Sequence, residues 1–184
     1  QDNDSDLCLK IFNIDGSESE NCVNGIRCVA RYVFDEKLVS SDRVTISINS
    51  DLIAVSKKAD SLLEVEMTNL SFEHKKIGLA KNAPDFYEFN GSKLIFNSVS
   101  VGNPHVVILN DDINLNIPEA GKAIQESGYF INGVNVGFVK IINPSEINLR
   151  VVERGVGETQ ACGSGACAAS AVGVKIGKLN NKVK

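Results

Sequence analysis

The chain has no basic tract: its 19 lysines and arginines are outnumbered by 23 acidic residues, leaving a net charge of −4. Nucleic acid and anionic membrane surfaces are therefore poor partners on electrostatic grounds. No stretch approaches ~18 uninterrupted apolar residues, so nothing reads as a helix that spans a bilayer. The opening QDNDSDLCLK lacks a charged segment followed by an apolar one and does not read as a secretory signal. Histidine is scarce, with two residues, and the cysteine spacings Cys22 to Cys28 and Cys162 to Cys167 are not of the C-x2-C type, so no zinc site is expected. The five cysteines are odd in number, and two pairs are close neighbours inside helix-like runs. That usage fits the reduced thiols of a cytoplasmic protein better than a disulfide framework. Gly155-Val156-Gly157 and Gly163-Ser164-Gly165 have neither the G-x-x-G continuation nor the following lysine of a phosphate loop.

What the chain does have is apolar content for a real core, 43% of 184 residues, in one domain or two small ones. It also has one pattern twice. Glu-x-x-x-Cys-x-x-Gly runs from Glu18 through Cys22 to Gly25, and again from Glu158 through Cys162 to Gly165. In each copy a cysteine stands where a turn-forming stretch gives way to an apolar, helix-like run. A thiol placed there meets the unpaired N–H groups and positive dipole end of a helix, which favour a thiolate. Two such thiols on duplicated halves suit the removal of a proton from one side of a carbon and its return on the other. Cys8, Cys28 and Cys167 lack that context and read as inert buried residues.

Hydrophobic spacing predicts a strand over 7–14 and a helix over 23–37, where Val23, Ile26, Val29, Ala30 and Val33 recur at helical intervals. Val44, Ile46 and Ile48 alternate, and shorter strands follow at 52–55 and 62–67. Residues 68–92 are polar and weakly patterned and read as surface loops at a lobe junction. Beyond them come strands near 93–101, 105–110, 134–142 and 146–153, with helices over 118–127 and 163–177. Asn132-Gly133 reads as a hairpin turn, and nothing argues for a role for His74. The fold class is α+β and β-rich: two pseudo-symmetric lobes, 1–68 and 69–184, each a curved sheet or barrel around a central helix, with the active site in the cleft between them. Unequal flanks around the repeats lead to the further expectation that roughly 50 residues are absent at the front and a few strands at the back. The helix after Cys22 should then be partly uncovered and the 184-residue chain poorly stable.

The segments FNIDGSE, NCVNGIRC, SVGNPHVVI, NVGF and ERGVGETQACGSGACAA closely resemble the diaminopimelate epimerase family, and the resemblance runs from about Lys10 to the C-terminus. It implies a cofactor-independent, cytoplasmic isomerase that inverts one stereocentre of LL-diaminopimelate to give the meso form, with a homodimer as the family expectation. It implies that Cys22 and Cys162 are the acid and base, and that His105 and Glu153 tune their pKa values. Asn13, Asn103, Asn135, Glu153 and Arg154 match contacts to the substrate, chiefly at its non-reacting end. The N–H groups around Val23, Asn24, Gly163 and Ser164 match those that hold the α-carboxylate and its developing enolate charge. Without the family match, Asn103 and Asn135 read as turn residues. The family normally has glycine where this chain has Val23, which keeps the N–H but adds a β-branched side chain that cannot take a positive φ.

Two other classes stay in view. Proline racemases share the two-cysteine plan, but their first motif usually reads Cys-Gly-His-Gly, and Asn24 stands here at the histidine position. A redox dithiol or a ligand-binding protein without turnover is the third reading.

Overall fold

Alternation of Val44, Ile46 and Ile48 with polar neighbours puts three branched side chains on one face of a strand, where they need an apolar partner. The partner is the stripe Ile26, Ala30 and Val33, which recurs every three or four residues along a helix. In the computed structural model, residues 4–12, 16, 18, 22–49, 51–112 and 114–184 are described. They fall in two units, Gln1–Asn69 and Leu70–Lys184.

The first unit holds β1 (Leu7–Cys8), α1 (Val23–Asp35), β2 (Arg43–Ile48), β3 (Asp51–Lys57) and β4 (Leu63–Glu66). The sheet order is β1-β2-β3-β4, with β1 parallel to β2 and the other pairs antiparallel. Ile26, Ala30 and Val33 of α1 meet Val44, Ile46, Ile48, Ile53 and Val55, all of them buried. Each valine and isoleucine among them contributes roughly 1.5–3 kcal/mol on leaving water. The core face of α1 is covered, and its outer face carries Asn24, Arg27, Cys28 and Tyr32. The strand expected over 7–14 is shorter than that. Its ladder is Leu7–Cys8, Phe12 forms an isolated bridge to Glu18, and 13–15 lie outside the described residues.

In the second unit come β5 (Leu70–Ser71), α2 (His74–Ile77), β6 (Phe86–Phe89), β7 (Ser92–Ile95), β8 (Asn97–Val101), β9 (Pro104–Leu109), α3 (Ile117–Glu126), β10 (Asn135–Asn143), β11 (Glu146–Glu153), β12 (Gly157–Thr159) and α4 (Gly163–Lys175). Six strands form one sheet in the order β12-β11-β10-β9-β8-β5. β9 and β10 are parallel, joined by the crossover helix α3, and the remaining neighbours are antiparallel. Neighbouring residues of β11 show where the helices lie. Val152 belongs to the cluster with Ile117, Ala120 and Ile124 of α3, whereas Val151 abuts Gly165 of α4. Successive strand residues point to opposite faces, so the sheet is covered by α3 on one side and α4 on the other. The molecule is a mixed α+β, sheet-rich fold, as the pattern implied.

Two local readings are corrected. The stretch 68–92 is not merely loop, since it contains α2 and the first strand of the β6–β7 hairpin, whose Tyr87, Phe89 and Leu94 pack on the main core. Asn132-Gly133 is a turn but closes no hairpin. It sits between Phe130, bridged to Leu79, and β10, whose partner on that side is parallel.

Candidate active site

Both repeated cysteines occupy the same position in the backbone. Cys22 is the N-cap of α1 with φ −138° and ψ 90°, and Cys162 is the N-cap of α4 with φ −128° and ψ 108°. Each sulfur accepts the backbone N–H of the glycine three residues on, at 3.4 Å from Gly25 and 3.3 Å from Gly165. An N-cap side chain normally satisfies one of the four orphan donors of the first turn, and here a thiol takes that place. The repeated glycine has a steric reason. A Cβ on Gly25 would lie 3.3 Å from the Cys22 sulfur and 3.0 Å from Ile11, and one on Gly165 would lie 3.3 Å from the Cys162 sulfur and 2.9 Å from Val151. A larger residue would crowd the sulfur and press harder still on Ile11 or Val151. The signal for these glycines was the repeat itself, although they were not among the expected site residues.

Val23 and Gly163 are the first helical residues of their helices. Val23 therefore takes helical φ and ψ, and it is buried. A positive φ is not needed at this position, so valine is accommodated and its N–H stays at the helix start. Asn24 follows on the exposed side of the first turn.

Around Cys162 the second unit assembles a polar cluster from four strands and a helix. β9 contributes His105, 1% exposed, whose Nε2 lies 3.1 Å from Asn103 Oδ1 and 3.1 Å from Ser164 Oγ. Ser164 Oγ lies in turn 3.4 Å from the Cys162 sulfur. Asn135 opens β10 directly across the ladder from His105, and its amide ties the neighbouring strands together: Nδ2 donates to Pro104 O at 3.2 Å and Oδ1 accepts from Arg154 N at 3.0 Å. Glu153, at the end of β11, accepts from the Thr159 hydroxyl of β12. The Arg154 guanidinium donates to Asn132 O, and its stem lies over Gly133, where a Cβ would come within 2.7 Å of Cδ. At φ +72° and under that stem, Gly133 admits no larger residue without strain. The supposed plain turn thus seats Arg154, and Thr159 steadies Glu153; neither was expected from the sequence. Asn13 lies outside the described residues.

Electrostatics separate these groups. Burial, with Arg154 adding repulsion, drops His105 from its usual 6.5 to about 4, so the ring is neutral at neutral pH. Burial also pushes the Cys162 thiol up, opposed by hydrogen bonds from Ser164 and Gly165 and reinforced by Glu153. At this helix start burial outweighs the N–H groups that were expected to favour a thiolate, and Cys162 rests as a thiol. Glu158, the acid of the second repeat, is spent elsewhere: the Arg150 fork donates to it at 2.6 and 2.8 Å and holds its carboxyl below the usual range. Among the remaining cysteines Cys167 is half-buried, but Cys8 and Cys28 are exposed, contrary to expectation, because one lies on an edge strand and the other on the outer face of α1.

The His105 shift has a consequence for stability. Unfolded, the ring titrates near 6.5; folded, near 4. The neutral ring's contribution is complete above pH 6.5 and is lost as pH falls toward 4, a change on the order of 3 kcal/mol. Urea midpoints from pH 7 to 4 should fall more steeply for the native chain than for His105→Gln. A gap between the two that does not change with pH would refute this.

The model of the diaminopimelate epimerase family matches residues 1–73 and 97–184. Diaminopimelate epimerase of Psychrobacter cryohalolentis is 41% identical over 184 aligned positions, which cover 96% of this chain and 62% of that protein. The enzyme of Vesicomyosocius okutanii is 42% identical over 180 positions, 97% of this chain and 66% of its own length. The chain spans about 62% of the length of the first of these relatives. Among solved structures, a hydroxyproline epimerase from Agrobacterium vitis aligns with a TM-score of 0.70 at 13% identity, covering 94% of this chain and 57% of that one. A Bacillus anthracis phenazine biosynthesis protein of the PhzF family gives 0.59 at 15%, covering 91% and 61%. At such identities the likeness is one of fold. Among the described residues no helix is long and apolar enough to cross a membrane.

Proposed function

The chain belongs to the diaminopimelate epimerase family, and from that premise we propose that it epimerises LL-diaminopimelate to the meso form by proton transfer between Cys22, Cys162 and the substrate α-carbon. The observation that carries the proposal is the doubled thiol seat: two cysteines, each an N-cap, each accepting the N–H of a glycine three residues on.

The chemistry needs this pairing. An α-proton is weakly acidic, and without an electron sink the carbanion must be stabilised by fixed dipoles. Helix-start N–H groups at Val23, Asn24, Gly163 and Ser164 supply them to the α-carboxylate. One thiol must arrive charged and the other protonated. Cys162, whose proton burial retains, is suited to give a proton, and it takes one in the opposite direction. Returning the proton on the opposite face inverts the centre, and the roles exchange in the reverse reaction. Arg154, with Asn13, Asn103, Asn135 and Glu153, receives the zwitterionic far end of the substrate, where a guanidinium fork matches a carboxylate. His105 and Glu153 tune the Cys162 thiol. Free thiols at all five cysteines fit a reducing, cytoplasmic setting.

Turnover of LL-diaminopimelate against free proline tests the substrate. Conversion of the first and not the second is the expected result; conversion of proline alone would assign the chain to the racemase group instead.

A further inference from the structure

Three buried side chains form an unbroken line to the Cys162 sulfur. Asn103 Oδ1 and Ser164 Oγ both lie 3.1 Å from His105 Nε2, and Ser164 Oγ lies 3.4 Å from the sulfur. Asn103, His105 and Ser164 are 9%, 1% and 6% exposed, so water does not stand in for any of these bonds. The donor and acceptor roles can be assigned by elimination. Asn103 Oδ1 has lone pairs and no hydrogen, so the nitrogen facing it must carry the proton. The neutral ring has one proton to place, and it is therefore on Nε2. That N–H also faces Ser164 Oγ, which accepts and leaves its own hydroxyl hydrogen directed elsewhere. The Cys162 sulfur, 3.4 Å away, is within reach to accept it.

We infer that Ser164 is a positioning residue: its hydroxyl, oriented by the Nε2–H of His105, donates to the Cys162 sulfur and makes that thiol easier to ionise. Asn103 then acts through the histidine, fixing its tautomer. The inference rests on the reading of Cys162 as a proton-transfer group, and it gives the relay a purpose. A thiol that burial holds protonated could serve in one direction alone; the hydroxyl keeps the thiolate accessible for the reverse step. The other groups that bear on the sulfur are the Gly165 N–H, which assists, and the Glu153 carboxyl of β11, which opposes. Burial, with Arg154 adding repulsion, keeps the histidine neutral, so the relay holds its orientation across the working pH range.

The test reads the thiol directly and needs no turnover. Iodoacetamide alkylation of Cys162, followed peptide by peptide by mass spectrometry across pH, gives its ionisation midpoint. Ser164→Ala should raise that midpoint by roughly half to one pH unit, and Ser164→Thr should restore it. His105→Gln, which keeps an N–H donor, should stay near the native midpoint, and His105→Leu should move with Ser164→Ala. If the leucine variant does not fold, nitrogen-15 correlation of the native imidazole decides, with the proton expected on Nε2. An unchanged midpoint in Ser164→Ala, or a proton on Nδ1, overturns the relay even if the protein epimerises normally. A raised midpoint in a protein with no epimerase activity would uphold the relay and sink the proposed reaction instead.

Discussion

Cys22→Ala and Cys162→Ala are each expected to abolish epimerisation of LL-diaminopimelate. Each removes the acid or base acting on one face of the α-carbon, and a positioned proton-transfer group is worth 10²–10⁴-fold. Loss at either residue stops the cycle in both directions, since each thiol must give a proton in one and take it in the other. Cys→Ser at either position should retain substrate binding and still lose rate, because a hydroxyl is too weak an acid to become the base. The helix starts themselves should survive: serine is a preferred N-cap, and alanine costs about 1 kcal/mol there. Steady-state kinetics with folding checked by circular dichroism make the comparison. Near-normal turnover in both alanine variants would remove the two-thiol mechanism.

Phe138→Ala should come close to unfolding the second unit. Phe138 is 3% exposed on β10, a strand inside the six-stranded sheet, and belongs to the cluster with Ile117 and Ile124 of α3 and Val152 of β11. Truncating a buried phenylalanine costs about 3–5 kcal/mol through lost transfer energy and the cavity left behind. Whole domains have only about 5–15 kcal/mol to lose. The thermal midpoint should drop by roughly 10 °C or more. Phe86→Ala is the control. That ring is only partly buried, beneath the Lys93 ammonium at 3.9 Å, and its loss should cost well under half as much. Equal shifts for the two would mean that the cluster around α3 is not what holds this unit together.

How much of this was legible in the sequence depended on the period of the apolar residues. α1 and β2 were readable because Val23, Ile26, Ala30 and Val33 and then Val44, Ile46 and Ile48 each serve one buried face, and burial on one face is what creates a period. Two of the three Asn-Gly pairs show where that reading failed. Asn90 (φ 49°) and Gly91 (φ 80°) form the two-residue turn of a true hairpin, flanked on both sides by partly apolar strands. Its charged neighbours Glu88 and Lys93 hide the alternation in a stretch that reads as polar loop. Asn132-Gly133 looked the same and is not a hairpin, because a helix and not a strand precedes it. The site divided along a similar line. The thiols were legible from the repeat, while the seats of Arg154 and Glu153 depend on residues brought together by the crossover at α3 and by the turn into β12, which no local pattern records.

The central claim is that two thiols divide the two faces of one carbon, and isotope exchange in heavy water tests it most directly. A thiol carries one proton, so the hydrogen taken from LL-diaminopimelate stays on the base that removed it while the other thiol delivers one already exchanged with solvent. Early in the reaction, before product returns, the meso product should carry one deuterium at the inverted carbon and the remaining substrate should carry almost none. Deuterium entering substrate and product equally would mean that a single base serves both faces, and neither meso product nor deuterium in the substrate would mean that the chain does not touch the α-proton at all.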